Sequence, residues 1–203
     1  VTHIEASHLS FAFPGKPPLF KDLSFKIERG QCLGVSGPSG CGKSTLAQVL
    51  AGHLRPSAGV VAVAGQEMLR PNRDVFLVHQ DTDLFPWLTA EKQILFGMLE
   101  PNSARAKELI ELTKLTGFEK YFPHQLSGGM KKRLSIARAL AVNPKLLIFD
   151  ESFNSLDFEL RMELFGDLKQ IWRETKTTIL LISHDPRDLE QMAEKELRLE
   201  KRR

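Results

Sequence analysis

The stretch that decides the fold is Gly37-Pro38-Ser39-Gly40-Cys41-Gly42-Lys43-Ser44. It fits G-x-x-x-x-G-K-[ST] at every position. The spacing has a chemical reason. Glycines let successive backbone N–H groups turn inward around a phosphate. A helix that starts there aims its positive end at the same anion. In such a loop Lys43 reaches the outer phosphate oxygens of a nucleotide, and Ser44 offers its hydroxyl to Mg²⁺. Cys41 supplies a backbone N–H; no base is placed in sequence to activate its thiol.

The flanks suit this reading. An apolar run, Cys32 to Val35, precedes the loop, and a helix from Lys43 to about Leu50 follows it, stopped by Gly52 and Pro56. Upstream, Leu9 to Phe13 and Phe20 to Ile27 alternate like strands. Downstream, Val60 to Val63 and Val75 to His79 are short strands. From about Pro86 to Asn143 the pattern is helical. Ala106, Leu109, Ile110 and Leu112 share one face of a helix over 104–115, and Leu134 to Val142 forms another. Strand-like runs Leu146 to Phe149 and Thr177 to Ile182 then bracket a helix over 158–174. Short apolar strands separated by helices predict an α/β fold with buried parallel strands, and the stretch 86–137 reads as a helical insertion. The charged tail, Glu194 to Arg203, reads as a solvated end, with contact to lipid headgroups as the sharper alternative.

Composition excludes several classes. The 203 residues are 42% hydrophobic and 26% charged, an ordinary globular balance. The 28 basic residues less 25 acidic ones leave +3, too mild a charge to point to nucleic acid. Two cysteines make no disulfide framework. No apolar run approaches the ~20 residues of a spanning helix. The start, Val1-Thr2-His3-Ile4-Glu5, shows no signal-peptide pattern, and the missing initiator Met reads as a trimmed beginning.

Three further features refine the chemistry. Leu146 to Phe149 delivers Asp150 and Glu151, two acids at a strand end. Asp150 suits Mg²⁺, and Glu151 suits polarising the attacking water. Ser127-Gly128-Gly129, before Met130 and the basic Lys131-Lys132-Arg133, is a second anion nest at a helix start. One phosphate chain has little use for two nests on one subunit, so the second is expected to serve a partner's nucleotide. His184 follows an apolar strand, where a parallel sheet collects its active site, and could hydrogen-bond the γ-phosphate.

With these features in order, the chain resembles an ATP-binding cassette ATPase, the nucleotide-binding subunit of ABC transporters, from about Ile4 to Leu199. The resemblance implies a P-loop NTPase core, a mostly parallel sheet with flanking helices. It adds an N-terminal antiparallel β-subdomain and an inserted α-helical subdomain. The whole, 1–203, would be one ABC ATPase domain, with 1–85 and 138–203 as core and 86–137 as the helical part. It implies ATP contacts at Gly37, Pro38, Ser39, Gly40, Cys41, Gly42, Lys43, Ser44 and Thr45. Phe13 resembles the aromatic that stacks on adenine, with Phe11 as competitor. Gln80 resembles the Q-loop glutamine, at Mg²⁺ or the attacking water. Ser44, Gln80 and Asp150 would hold Mg²⁺; Lys43, Gln80, Glu151 and His184 would be the catalytic groups. Ser127, Gly128 and Gly129 resemble the signature that closes on the other subunit's ATP, and Asn154-Ser155-Leu156-Asp157 resembles the D-loop between subunits.

Three departures stand out. Met130 ends the signature where Gln is commonest, as in the subset that includes nitrate and sulfonate importers. Ser152 stands where many members have Pro. The chain stops soon after its last strand, with no accessory C-terminal domain expected. Phe85, Trp87 and Leu88, within Phe85 to Glu91, resemble the segment that receives a short helix of a membrane permease subunit. The resemblance therefore implies an ATPase subunit at the cytoplasmic face of the inner membrane. It would power a small-solute importer as a homodimer, with a solute-binding protein in the same system. An exporter subunit is the alternative, followed by a non-transport ABC ATPase and a P-loop kinase.

Overall fold

The computed structural model describes residues 2–79, 84–154 and 156–201. The chain divides into two compact units. One comprises 1–77, 145–151 and 176–203; the other comprises 78–144 and 152–175.

The first unit holds two sheets. Strands β1 (Thr2–Phe11), β2 (Phe20–Glu28), β4 (Ala58–Val63) and β5 (Gln66–Glu67) form an antiparallel sheet in the order β2-β1-β4-β5. Alternation puts Ile4, Ala6, Leu9 and Phe11 of β1 in the core. The strand stops at Phe11, short of the expected Phe13. There the chain turns over Pro14 and Gly15, closed by Lys16 N–H donating to the Phe13 carbonyl at 3.0 Å. The second sheet contains β3 (Cys32–Ser36), β6 (Val75–Val78), β7 (Leu146–Asp150), β8 (Thr178–Ile182) and β9 (Lys195–Arg198). Its order is β6-β7-β8-β3-β9, with β3 between β8 and β9 and all three parallel, as β7 is to β8. Leu146 to Phe149 of β7 and Ile179 to Ile182 of β8 are apolar throughout because both faces are covered. Burial pushes the Cys32 thiol up to about 12, which leaves it an inert core group.

The tail corrects the sequence reading. Lys195–Arg198 is an edge strand beside β3, and Leu199 is buried in the same core as Val35 and Leu46. The tail is therefore paired and ordered rather than a free end, while its charged side chains, Glu194, Lys195, Glu196, Arg198 and Glu200, stay exposed as expected. Leu197 and Leu199 carry the alternation that charged neighbours obscured. Helix α6 (Pro186–Met192), which the sequence reading left unassigned, leads into it. Gly34 of β3 allows its close approach, since a Cβ there would lie 2.9 Å from that of Ala193.

The second unit is helical: α2 (Ala90–Gly97), α3 (Ser103–Leu112), α4 (Gly128–Ala141) and α5 (Phe158–Thr175). Helix α4 begins six residues before the expected Leu134, because Ser127 caps it and accepts a hydrogen bond from Met130 N–H at 3.3 Å. Arg133 of α4 ties to α5, donating to Asp167 at 2.8 Å and Glu163 at 2.5 Å. Lys114 closes on the other oxygen of Asp167 at 2.5 Å. Burial works against the Arg133 charge, but the two carboxylates hold its pKa above the ordinary arginine value.

Candidate functional site

The loop after β3 is shaped by its own surroundings. Gly37 sits at φ 145, and a Cβ there would run into the Leu199 carbonyl and the Cys41 sulfur. The tail thus backs the loop: Leu199 N–H donates to the Ser36 carbonyl at 2.9 Å, and the Ser36 hydroxyl donates to Glu196. Gly40 and Gly42 also have left-handed backbone, φ 76 and 103. Gly42 is the N-cap of α1 (Lys43–Leu50), which starts and ends where the sequence placed it. Cys41 is buried, and its N–H donates to the Pro38 carbonyl at 3.2 Å.

Strand β7 carries the acids to this loop. Ser44 Oγ donates to Asp150 Oδ1 at 3.0 Å. Lys43 Nζ, 6% exposed, donates to the Gly37 carbonyl at 2.9 Å and lies 3.6 Å from Glu151 Oε1. Glu151 has a left-handed backbone, φ 47, held by its N–H donating to the Ile182 carbonyl at 3.1 Å. A side chain in that region is strained, and such strain clusters at functional positions. The Ser44 and Asp150 oxygens fit a divalent cation. Both are hard donors, and adjacent vertices of an octahedron with bonds of about 2.1 Å lie about 3.0 Å apart.

His184 is exposed just after β8. Beside it, Ser183 Oγ donates to Asp188 at 2.7 Å, and Asp185 caps α6 by accepting from Arg187 N–H at 3.0 Å. A cavity of about 430 Å³ runs along the loop, lined by Gly37, Pro38, Ser183, His184 and Arg198 among others. Of the two aromatic candidates, Phe11 is core, 5% exposed and 6.1 Å from the Phe20 ring, whereas Phe13 is 41% exposed. Thr45 is half-buried on α1. Gln80 and Ser155 lie outside the described residues.

The signature lies in the second unit. Ser127 and Gly128 are exposed and Gly129 is buried. A Cβ on Gly129 would lie 2.8 Å from Leu160 Cδ1, whereas one on Gly128 would meet nothing within 4 Å. The same unit carries an apolar face. Trp87, Phe96 and Leu99 are exposed, and the Phe85 ring lies 5.5 Å from Trp87 and 4.9 Å from Phe96. Leu88 is half-buried.

The sequence reading missed the backing of the loop by Leu199 and Glu196. It also gave no role to the hydroxyl of Ser152 or the ammonium of Lys132, both buried. Burial of a lysine in an amphipathic helix has no signature in sequence, since that residue type normally marks the wet face.

Comparison with known proteins shows the family. A family model described as ABC transporter matches residues 20–154. The taurine import ATP-binding protein of Yersinia pestis is 41% identical over 188 residues, 90% of this chain and 73% of the relative. The aliphatic sulfonates import ATP-binding protein of Bacillus licheniformis is 42% identical over 173 residues, 84% of this chain and 68% of the relative. Among solved structures, cbiO1 of Clostridium perfringens, part of the ABC transporter complex cbiONQ, superposes with a TM-score of 0.82. It is 26% identical, over 91% of this chain and 79% of that one.

Proposed function

This chain belongs to the ABC transporter family and is the ATP-hydrolysing subunit of a membrane importer; on that premise we propose how its residues divide the work and what they serve. Lys43 and the N–H groups of Gly40 and of Gly42 to Thr45 bind the phosphates. Ser44 and Asp150, with Gln80, hold Mg²⁺, which when bound neutralises phosphate charge. Glu151 accepts a proton from the attacking water, and His184 donates a hydrogen bond to the γ-phosphate. Phe13 offers a ring face to adenine. Catalysis is then positioning plus electrostatic stabilisation, as phosphoryl transfer requires.

The observation that carries this reading is the meeting of Ser44 with Asp150 and of Lys43 with Glu151 at one loop. Ser127, Gly128 and Gly129 complete the nucleotide site of a second copy, so that a homodimer encloses two ATP molecules. The Phe85, Trp87, Phe96 and Leu99 face receives a short helix from a permease subunit. On this reading the chain sits peripherally at the cytoplasmic face of the membrane. Among the described residues no helix is long and apolar enough to cross it. A solute-binding protein belongs to the same system. The names of the relatives point to a small sulfonate as the imported solute, whose own site lies on the other chains.

The test is Glu151→Gln, examined by light scattering on a sizing column with and without Mg-free ATP. Hydrolysis should fall at least about a hundredfold, the range expected for losing a general base, while ATP doubles the mass. A variant that hydrolyses at the parental rate contradicts the role of Glu151. A variant that binds ATP and stays monomeric contradicts the homodimer.

A further inference from the structure

Two consecutive carbonyls at the end of β6 are each gripped by a buried side chain. Ser152 is 1% exposed, and its hydroxyl donates to the Val78 carbonyl at 2.5 Å. Lys132 is 2% exposed, and its ammonium donates to the His79 carbonyl at 3.0 Å. The same ammonium lies 5.4 Å from the centroid of the Phe153 ring, which packs on Phe165 at 4.6 Å. All of these residues belong to the second unit.

A buried ammonium is costly unless its charge is met by dipoles or rings. An unbranched apolar side chain would fill the same space without that cost, so packing alone does not call for lysine here. What lysine adds is a charge-assisted donor aimed at one backbone oxygen. That oxygen belongs to the residue directly before Gln80. The second gripped oxygen is one residue further back, and its donor, Ser152, directly follows Glu151. Ser152 is also the residue that replaces the Pro common in the resembling family; a proline has no hydroxyl to give.

We infer that Lys132 and Ser152 are positioning residues for ATP hydrolysis, a two-point clamp that fixes the carbonyls of Val78 and His79, the last two residues before Gln80 in sequence. The helix led by Ser127 supplies one point, and the segment that continues from Glu151 supplies the other. Both act through the backbone, so neither is catalytic. The inference rests on the reading of Gln80 as the residue that orients the attacking water.

The clamp predicts a split between turnover and affinity. Lys132→Met keeps the length and the contact with Phe153 but removes the donor. Its kcat should fall about tenfold per folded molecule, with KM for ATP within about twofold of the parent, and amide exchange at residues 78 and 79 should accelerate. Lys132→Arg, which keeps a charged donor, should recover most of the loss. Ser152→Ala should show the same pattern at about threefold. If Lys132→Met does not fold, Ser152→Ala, which deletes one oxygen, decides by the same split. Parental kcat in the folded variants overturns the clamp, as does a loss expressed in KM or one matched by the unfolded fraction. Glu151→Gln, measured alongside, separates the two levels: if it hydrolyses ATP normally, the reading of the site fails rather than the clamp.

Discussion

The two glycine turns differ in what demands their glycines. At the phosphate loop the protein's own fold demands them. Gly37, Gly40 and Gly42 all have left-handed backbone, and a Cβ on Gly37 would strike the Leu199 carbonyl. At the signature the demand is split. Gly129 is buried, where a Cβ would have to displace the end of the Leu160 side chain, but Gly128 is exposed with open space around it. Glycine is a poorer helix former than alanine. Among the described residues of the second unit, none comes within 4 Å of a Cβ at Gly128. The comparison separates a turn whose glycines the surrounding fold requires from one at which the surrounding fold leaves open space, as the proposed division into own and partner nucleotide expects.

Substitutions can break or sharpen that contrast. Gly37→Ala should have the largest effect, weakening ATP binding at least about a hundredfold and lowering the melting temperature, because both the backbone angle and the Leu199 contact forbid a methyl group. A fluorescent nucleotide titration reads the first effect and calorimetry the second. Gly128→Ala should cost about tenfold in hydrolysis and nothing in stability, since the added methyl group meets open space and favours the helix. A melting temperature equal to or above the parent's, with slow turnover, would be the signature of a glycine kept for an outside ligand. Leu199→Ala should be the mildest for chemistry. Loss of a buried leucine destabilises by about 2–5 kcal/mol, while ATP affinity should drop only severalfold as the loop loses part of its backing. Denaturant unfolding and the same titration check both numbers.

Much of this was legible in the sequence because local rules and tertiary structure agree. Helix α1 begins at Lys43 and ends at Leu50 because a glycine N-cap and Gly52 bound it. The β7 and β8 runs are apolar on both faces, so periodicity and burial gave one answer. What was not legible depends on neighbours distant in sequence. The tail's charges are exposed as the sequence suggested, but they hid its strand character; only pairing with β3 shows Leu197 and Leu199 as the inward alternation of an edge strand. The family pattern preferred Phe13 to Phe11, but the physical difference between them was not legible: it is the turn at Pro14 that leaves the Phe11 ring in the core and the Phe13 ring outside. Lys132 and Ser152 are polar residues whose partners, the His79 and Val78 carbonyls, lie 53 and 74 positions away. No local pattern records such contacts.

The central claim is that the turn at Gly128 serves the nucleotide held by another copy's phosphate loop. Mixing two inactive variants tests it directly. Lys43→Met removes the phosphate-binding lysine and keeps the signature; Ser127→Arg obstructs the signature and keeps the lysine. Each alone should show little hydrolysis. Mixed in equal amounts, they should regain a substantial fraction of parental activity, because half of the dimers then contain one intact composite site. Activity that stays at the level of the separate variants, although mixed dimers form, would contradict the account.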